Sequence, residues 1–223
     1  MRTIVRADIL DVVPYADGFI YIQSEELEDG SIRASFFAYE QEGNTIFPVK
    51  RKDYLQCKFG SGYARIAHHL GDFVFCESRS LNSKTRAVLS RKGDLRLFSP
   101  DGDILREDTL LYQGSPASSF VQGEQSLWCV VPAQNAVIHY SLLERRVLLR
   151  IGGASSNAFS SPSSLTRAGD KLYICSKKAH KIRTVSLDNY AVRDHVTFQE
   201  PVERYFRAAD KEYVQLASGI YRL

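Results

Sequence analysis

The chain of 223 residues repeats itself. Gln125-Ser126-Leu127-Trp128-Cys129-Val130 aligns with Asp170-Lys171-Leu172-Tyr173-Ile174-Cys175 at a shift of 45 residues. The match runs on without a gap: Val137 falls on Ile182, Tyr140 on Val185, Ser141 on Ser186 and Leu142 on Leu187. A third copy joins at Leu95-Arg96-Leu97-Phe98-Ser99-Pro100, which lies over Val137–Leu142 and Ile182–Leu187. A unit this short cannot bury its own apolar surface, so its copies must stack on one another. That requirement excludes most folds open to a chain of this length.

Fainter copies flank these three. Tyr39-Glu40-Gln41-Glu42-Gly43-Asn44 parallels Phe98-Ser99-Pro100-Asp101-Gly102-Asp103, and Phe19-Ile20-Tyr21-Ile22 follows Asp17-Gly18 as Leu172 follows Gly169-Asp170. A last copy starts at Pro201, passes Asp210-Lys211-Glu212-Tyr213-Val214 and ends at Ile220-Tyr221-Arg222-Leu223, one strand short. The apolar runs are brief, rich in β-branched and aromatic residues, and bounded by Gly, Asp, Asn or Pro. No long segment carries a convincing helical period, and Leu142–Leu149 reads as a hairpin because it shares register with Leu187–Val192. A β-sandwich would explain the strands but not the common register of Ser99, Ser141 and Ser186.

The expectation is therefore all-β: a five-bladed β-propeller of four-stranded antiparallel blades, spanning about 8–53, 54–110, 111–153, 154–199, and 200–223 with 1–7. The short last blade would leave an open edge, and pairing residues 2–6 beside 220–223 would close both it and the ring.

The stretch Phe159-Ser160-Ser161-Pro162-Ser163-Ser164-Leu165, Ala168-Gly169-Asp170-Lys171-Leu172-Tyr173-Ile174 and Lys181-Ile182-Arg183-Thr184-Val185 resembles an NHL-type (or YncE-like) propeller repeat. The resemblance covers 159–198 well, 115–150 moderately and the rest in outline. Cys175-Ser176 and Val130-Val131 replace the Val-Ala-Asp usual after the second strand. The resemblance implies architecture and leaves function open, since such propellers serve binding and catalysis alike.

Composition narrows the classes. With 29 basic against 26 acidic residues, a net charge of +3 is too small to imply nucleic acid by itself, which ranks RNA binding third behind the readings below. A mean hydropathy of -0.24 and 25% charged residues describe a folded, water-facing protein. No apolar stretch reaches a membrane span and the start lacks a signal-like apolar region, so a cytoplasmic monomer with no membrane partner is expected. Cys57, Cys76, Cys129 and Cys175 have no metal spacing, and the three inside apolar runs, Cys76, Cys129 and Cys175, read as buried thiols. Neither metal nor cofactor is expected.

In a propeller, ligands meet the face formed by the loops that enter each first strand and those that join strands two and three. The sequence puts two basic loops there, Ser78–Arg86 (Arg79, Lys84, Arg86) with Arg91-Lys92, and Lys177-Lys178-Ala179-His180-Lys181. It opposes them with Glu25, Glu26, Glu28 and Asp29. The inner-strand candidates are Tyr63, Arg65, His68 and His69 from the second unit and Glu203, Arg204 and Tyr205 from the fifth. Asp11 and Glu203 are the inner-strand acids, and units three and four offer serines. Tyr112, Phe120 and Phe159 are the aromatics placed near the channel entrance, whereas Trp128, Tyr21, Tyr173 and Tyr213 read as core. His139 and His195 fall on outer strands.

There is no GxSxG, HExxH, GxxxxGK[ST] or GxGxxG motif. The leading expectation is a non-catalytic module that binds a protein or a small polar or anionic ligand. A hydrolase or lyase acting on a carbohydrate-like substrate in the channel, through Arg65, His68, Glu203 and Tyr205, is the alternative.

Overall fold

The computed structural model describes residues 1–223 and consists of five four-stranded antiparallel sheets set around a channel. β1 (Arg2–Val5) belongs to the last sheet. Blade 1 is β2 (Asp8–Tyr15), β3 (Gly18–Glu26), β4 (Ile32–Glu40) and β5 (Thr45–Pro48). Two helices follow, α1 (Arg51–Phe59) and α2 (Tyr63–Leu70). Blade 2 is β6 (Cys76–Asn82), β7 (Thr85–Ser90), β8 (Asp94–Phe98) and β9 (Ile104–Thr109).

A small hairpin, β10 (Leu111–Tyr112) and β11 (Ser115–Pro116), precedes blade 3. Blade 3 comprises β12 (Ser119–Gln122), β13 (Ser126–Val131), β14 (Ala136–Ser141) and β15 (Arg146–Gly152). Blade 4 is β16 (Pro162–Ala168), β17 (Lys171–Ser176), β18 (Lys181–Ser186) and β19 (Val192–Thr197). Blade 5 is β20 (Val202–Ala208), β21 (Lys211–Leu216), β22 (Gly219–Arg222) and the returning β1.

The ring closes as the short last repeat demanded. Arg2 pairs with Arg222, Thr3 with Tyr221 and Val5 with Ile220, so β22 has no free edge. Leu142–Leu149 bridges β14 and β15 as a hairpin. The matched segments of blades 3 and 4 are equivalent down to their turns. Each second strand runs into a short 3-10 turn that ends on a left-handed residue, Asn135 (φ 49) or His180 (φ 54).

The core consists of five clusters, one at each blade interface, and not of a single centre. Phe19, Tyr39, Phe206 and Tyr213 fill the interface between blades 5 and 1, with Phe19 edge-on to Phe206 at 5.3 Å. Cys129 and Cys175 are fully buried free thiols in two such interfaces. Burial pushes the Cys175 thiol up to about 12, which leaves it a small apolar filler.

The helical pair departs from the sequence reading. Tyr63, Ile66, Ala67 and Leu70 recur at the i, i+3, i+4, i+7 spacing of one helix face, and they form α2 and not a strand. Tyr54, Leu55, Phe59 and Ile66 wedge between Ile20 and Ile22 of blade 1 and Val88 and Phe98 of blade 2. Inner strands of neighbouring blades meet directly from blade 2 round to blade 1, whereas between blades 1 and 2 α1 packs against both β2 and β6. The strands of blade 2 therefore begin at Cys76, not in the 54–75 stretch. No helix of the chain is long and apolar enough to cross a membrane.

Candidate ligand site at the channel mouth

Each blade sends its first strand down the channel, and the pairing with the second strand identifies equivalent positions. Asp11 lies opposite Ile22, Glu77 opposite Leu89, Ser119 opposite Val130, Ser164 opposite Cys175 and Arg204 opposite Gln215. One turn of the ring thus reads Asp, Glu, Ser, Ser, Arg at a single level. Register irregularities immediately precede Asp11, Ser164 and Arg204, and bulges of this kind re-aim side chains.

The three charged members come from adjacent blades and form one network. Arg204 pairs with Glu77 and lies 3.7 Å from the second carboxylate oxygen of Asp11. The other Asp11 oxygen accepts from Lys58 Nζ at 2.7 Å and from the Tyr54 hydroxyl at 2.5 Å. Lys58 also donates to the carbonyls of Phe73 (2.9 Å) and Val74 (3.0 Å). Burial favours the neutral form of Asp11, but Lys58 and Arg204 outweigh it and hold the carboxyl below its ordinary range. Burial likewise opposes the charge on Arg204, yet Glu77 and Asp11 raise its pKa above the usual guanidinium value.

The two serines face a different environment. Ser119 and Ser164 are 2% and 4% exposed, and neither hydroxyl has an oxygen or nitrogen partner in the protein. Asp11, Glu77, Ser164 and Arg204 of this level line a cavity of about 530 Å³, the size that admits a small molecule. Its wall includes Ser118, Ser163, Ser164, Glu203, Arg204 and Gln215, and Lys177 closes one side by pairing with Glu203 at 2.6 Å.

The residues expected here from sequence divide sharply. Glu203, Arg204 and Lys177 line the cavity. Arg65 and His68 do not, because they ride on α2: Arg65 is exposed and bonded to Asp103 at 2.6 Å, and His68 is exposed on the outer helix surface. Tyr205 is buried between blades 4 and 5, stacked on Tyr173 at 4.9 Å. Phe159 and Phe120 are buried in interface clusters, and Tyr112 sits half-buried on the β10–β11 hairpin, outside the cavity wall.

Since β6 is the first strand, the basic loop also moves. Arg79 lies deeper on β6 beside Glu77 (3.4 Å), Arg86 on β7 donates to the Lys58 carbonyl at 3.0 Å, and Lys84 occupies the turn on the opposite face. Only Arg91 and Lys92 of that stretch belong to the turn between strands two and three. His180 serves the backbone of its turn and does not line the cavity. His139, placed on an outer strand, is half-buried and stacked on Trp128 at 4.3 Å. Missed altogether were Lys58, Tyr54 and Glu77.

Fold and site together define a five-bladed β-propeller with a charge-paired, serine-bearing channel mouth. Among solved structures it is similar to virginiamycin B lyase from Staphylococcus aureus, at TM-score 0.56 and 13% identity over 96% of this chain and 79% of that one. A streptogramin B lyase matches at TM-score 0.51 with 12% identity, over 95% of this chain and 63% of that one. Saccharomyces cerevisiae Sqt1 matches at TM-score 0.50 with 12% identity, over 95% and 71%. These likenesses show the propeller fold. No protein-family model and no curated protein sequence matches the chain.

Proposed function

We propose that this propeller is a non-catalytic binding module that holds a small polar ligand at the channel mouth. The observation that carries this reading is the concave cavity of about 530 Å³ lined by the equivalent position of four blades, Asp11, Glu77, Ser164 and Arg204, with Ser118 beside the fifth. A rigid closed ring presents such groups with little ordering cost on binding. A concavity of this size suits a small molecule better than a flat protein surface does.

A hydrolase or lyase at the same mouth fits less well. A carboxyl that protonates a leaving group needs a raised pKa, and Asp11 is shifted the other way. The comparison with virginiamycin B lyase is instructive: a histidine-to-alanine variant of that enzyme, solved with quinupristin, is catalytically inactive. No histidine lines the cavity of this chain.

The test is ligand-observed NMR with a panel of sugars, amino acids and small organic acids, on the native chain and on Lys177→Ala and Glu203→Ala. Both positions are partly exposed, so the variants should keep the fold. Binding that both variants weaken, with the compound recovered unchanged after long incubation, is expected. Binding unaffected by either variant would place the ligand elsewhere, and conversion of a bound compound would make the protein an enzyme.

A further inference from the structure

We infer that the ligand of this mouth is uncharged and hydroxyl-rich, a sugar or polyol in chemistry. The inference deepens the binding reading above and rests on it.

Five of the seven charged groups that line the cavity are already paired with an opposite charge. Asp11 faces Lys58 and Arg204, Glu77 faces Arg204 and Arg79, and Glu203 faces Lys177. At the rim, Asp8 accepts from the Ser24 hydroxyl, and Arg91 lies over the Phe75 ring at 4.3 Å, where water screens it. At the floor a ligand carboxylate would have to take Arg204 from its partners, and a ligand ammonium would have to take Asp11 or Glu77 from its cation. Breaking these buried pairs leaves a charge uncompensated, so beside Ser164 an ionic ligand is penalised whichever sign it bears, and the exposed Asp8 and Arg91 offer a charge only at the rim.

A hydroxyl makes no such demand. Paired carboxylates and guanidiniums retain unused lone pairs and N–H groups, and a hydroxyl both donates and accepts. Ser164 supplies the second, independent observation: it lines the cavity, is 4% exposed, and its hydroxyl lacks an oxygen or nitrogen partner. Ser119, one blade away, is likewise buried without such a partner, but it lies behind Ser118 and does not line the cavity. A buried hydroxyl without a partner is unfavourable, and a neutral hydroxylated ligand satisfies it.

The experiment is calorimetric titration with neutral hexoses, pentoses and cyclitols, each set beside its amino, carboxylate and phosphate derivatives, on the native chain and on Ser164→Ala. Expected is a neutral compound that binds roughly tenfold more tightly than its charged derivatives and loses about fivefold in affinity in S164A, the scale of one hydrogen bond. A charged derivative binding more tightly than its neutral parent, or a neutral compound indifferent to S164A, would overturn the inference while the mouth remained a binding site. No binding by any compound, charged or neutral, would remove the mouth reading itself.

Discussion

Lys58 Nζ, from a helix that belongs to no blade, ends 2.7 Å from the Asp11 carboxylate on the innermost strand of blade 1, with both side chains 4% exposed. The contact joins the helical wedge to the channel floor. Buried charges of this kind are tolerated only when paired and hydrogen-bonded, and the Tyr54 hydroxyl and two backbone carbonyls complete the shell.

Removing one partner is therefore expected to cost far more than removing both. Lys58→Met should lower stability by about 3–5 kcal/mol, because Asp11 keeps the Tyr54 hydroxyl but no cation nearer than Arg204 at 3.7 Å. The double variant K58M/D11N should recover part of that loss. Urea unfolding at neutral pH of the native chain, each single variant and the double variant measures the coupling.

The same carboxylate sets an acid limit. The folded pKa of Asp11 lies below its ordinary value, so its contribution to stability is fully present above the unfolded-state value, about 3.9. It is lost as pH falls through the folded pKa. Stability should thus decline on acidification below about pH 4, and the decline should be shallower in Asp11→Asn. Equal acid slopes in the two proteins would contradict the assignment.

Closure of the ring depends on a close approach of backbones. Gly219 has φ +145, and a Cβ there would lie 2.1 Å from the Val5 carbonyl oxygen. Gly219→Ala should cost at least about 1–3 kcal/mol, the scale of a strained backbone position. Deleting residues 1–5 should expose the β22 edge and promote self-association, read by light scattering.

Ser164→Ala gives the opposite sign. Its hydroxyl is buried without an oxygen or nitrogen partner, so in the absence of ligand the variant should match or slightly exceed the native stability, within about 1 kcal/mol. A loss of several kcal/mol in thermal unfolding would show that the hydroxyl is bonded within the protein.

The fold was legible because strand, turn and register signals recur. Cys129 and Ile174 sit alike in their blades, and the missing last strand pointed directly to Arg2–Val5. The helical wedge was not read, although the spacing of Tyr63, Ile66, Ala67 and Leu70 and the glycines after each helix, Gly60 and Gly71, were there to find. α1 concealed itself, because Lys58, a charged residue, occupies one of its buried positions.

That single omission moved blade 2 upstream and put Arg65 and His68 in the channel where Glu77 belongs. Glu203, Arg204 and the serines of units three and four were placed correctly on inner strands, since no insertion disturbs the repeat after Ser119. Which side chains lose or keep partners at that level is a property of five strands meeting, and no one strand carries it.

The most direct measurement is an amide chemical-shift map of the labelled protein as a neutral sugar or polyol from the panel is titrated. The shifts should gather at Ser118, Ser163, Ser164, Arg204 and Gln215, around the rim and floor of the mouth. Shifts confined to the opposite face, around Lys84 and Gly102, or to the outer surface of α1 and α2 would contradict the account.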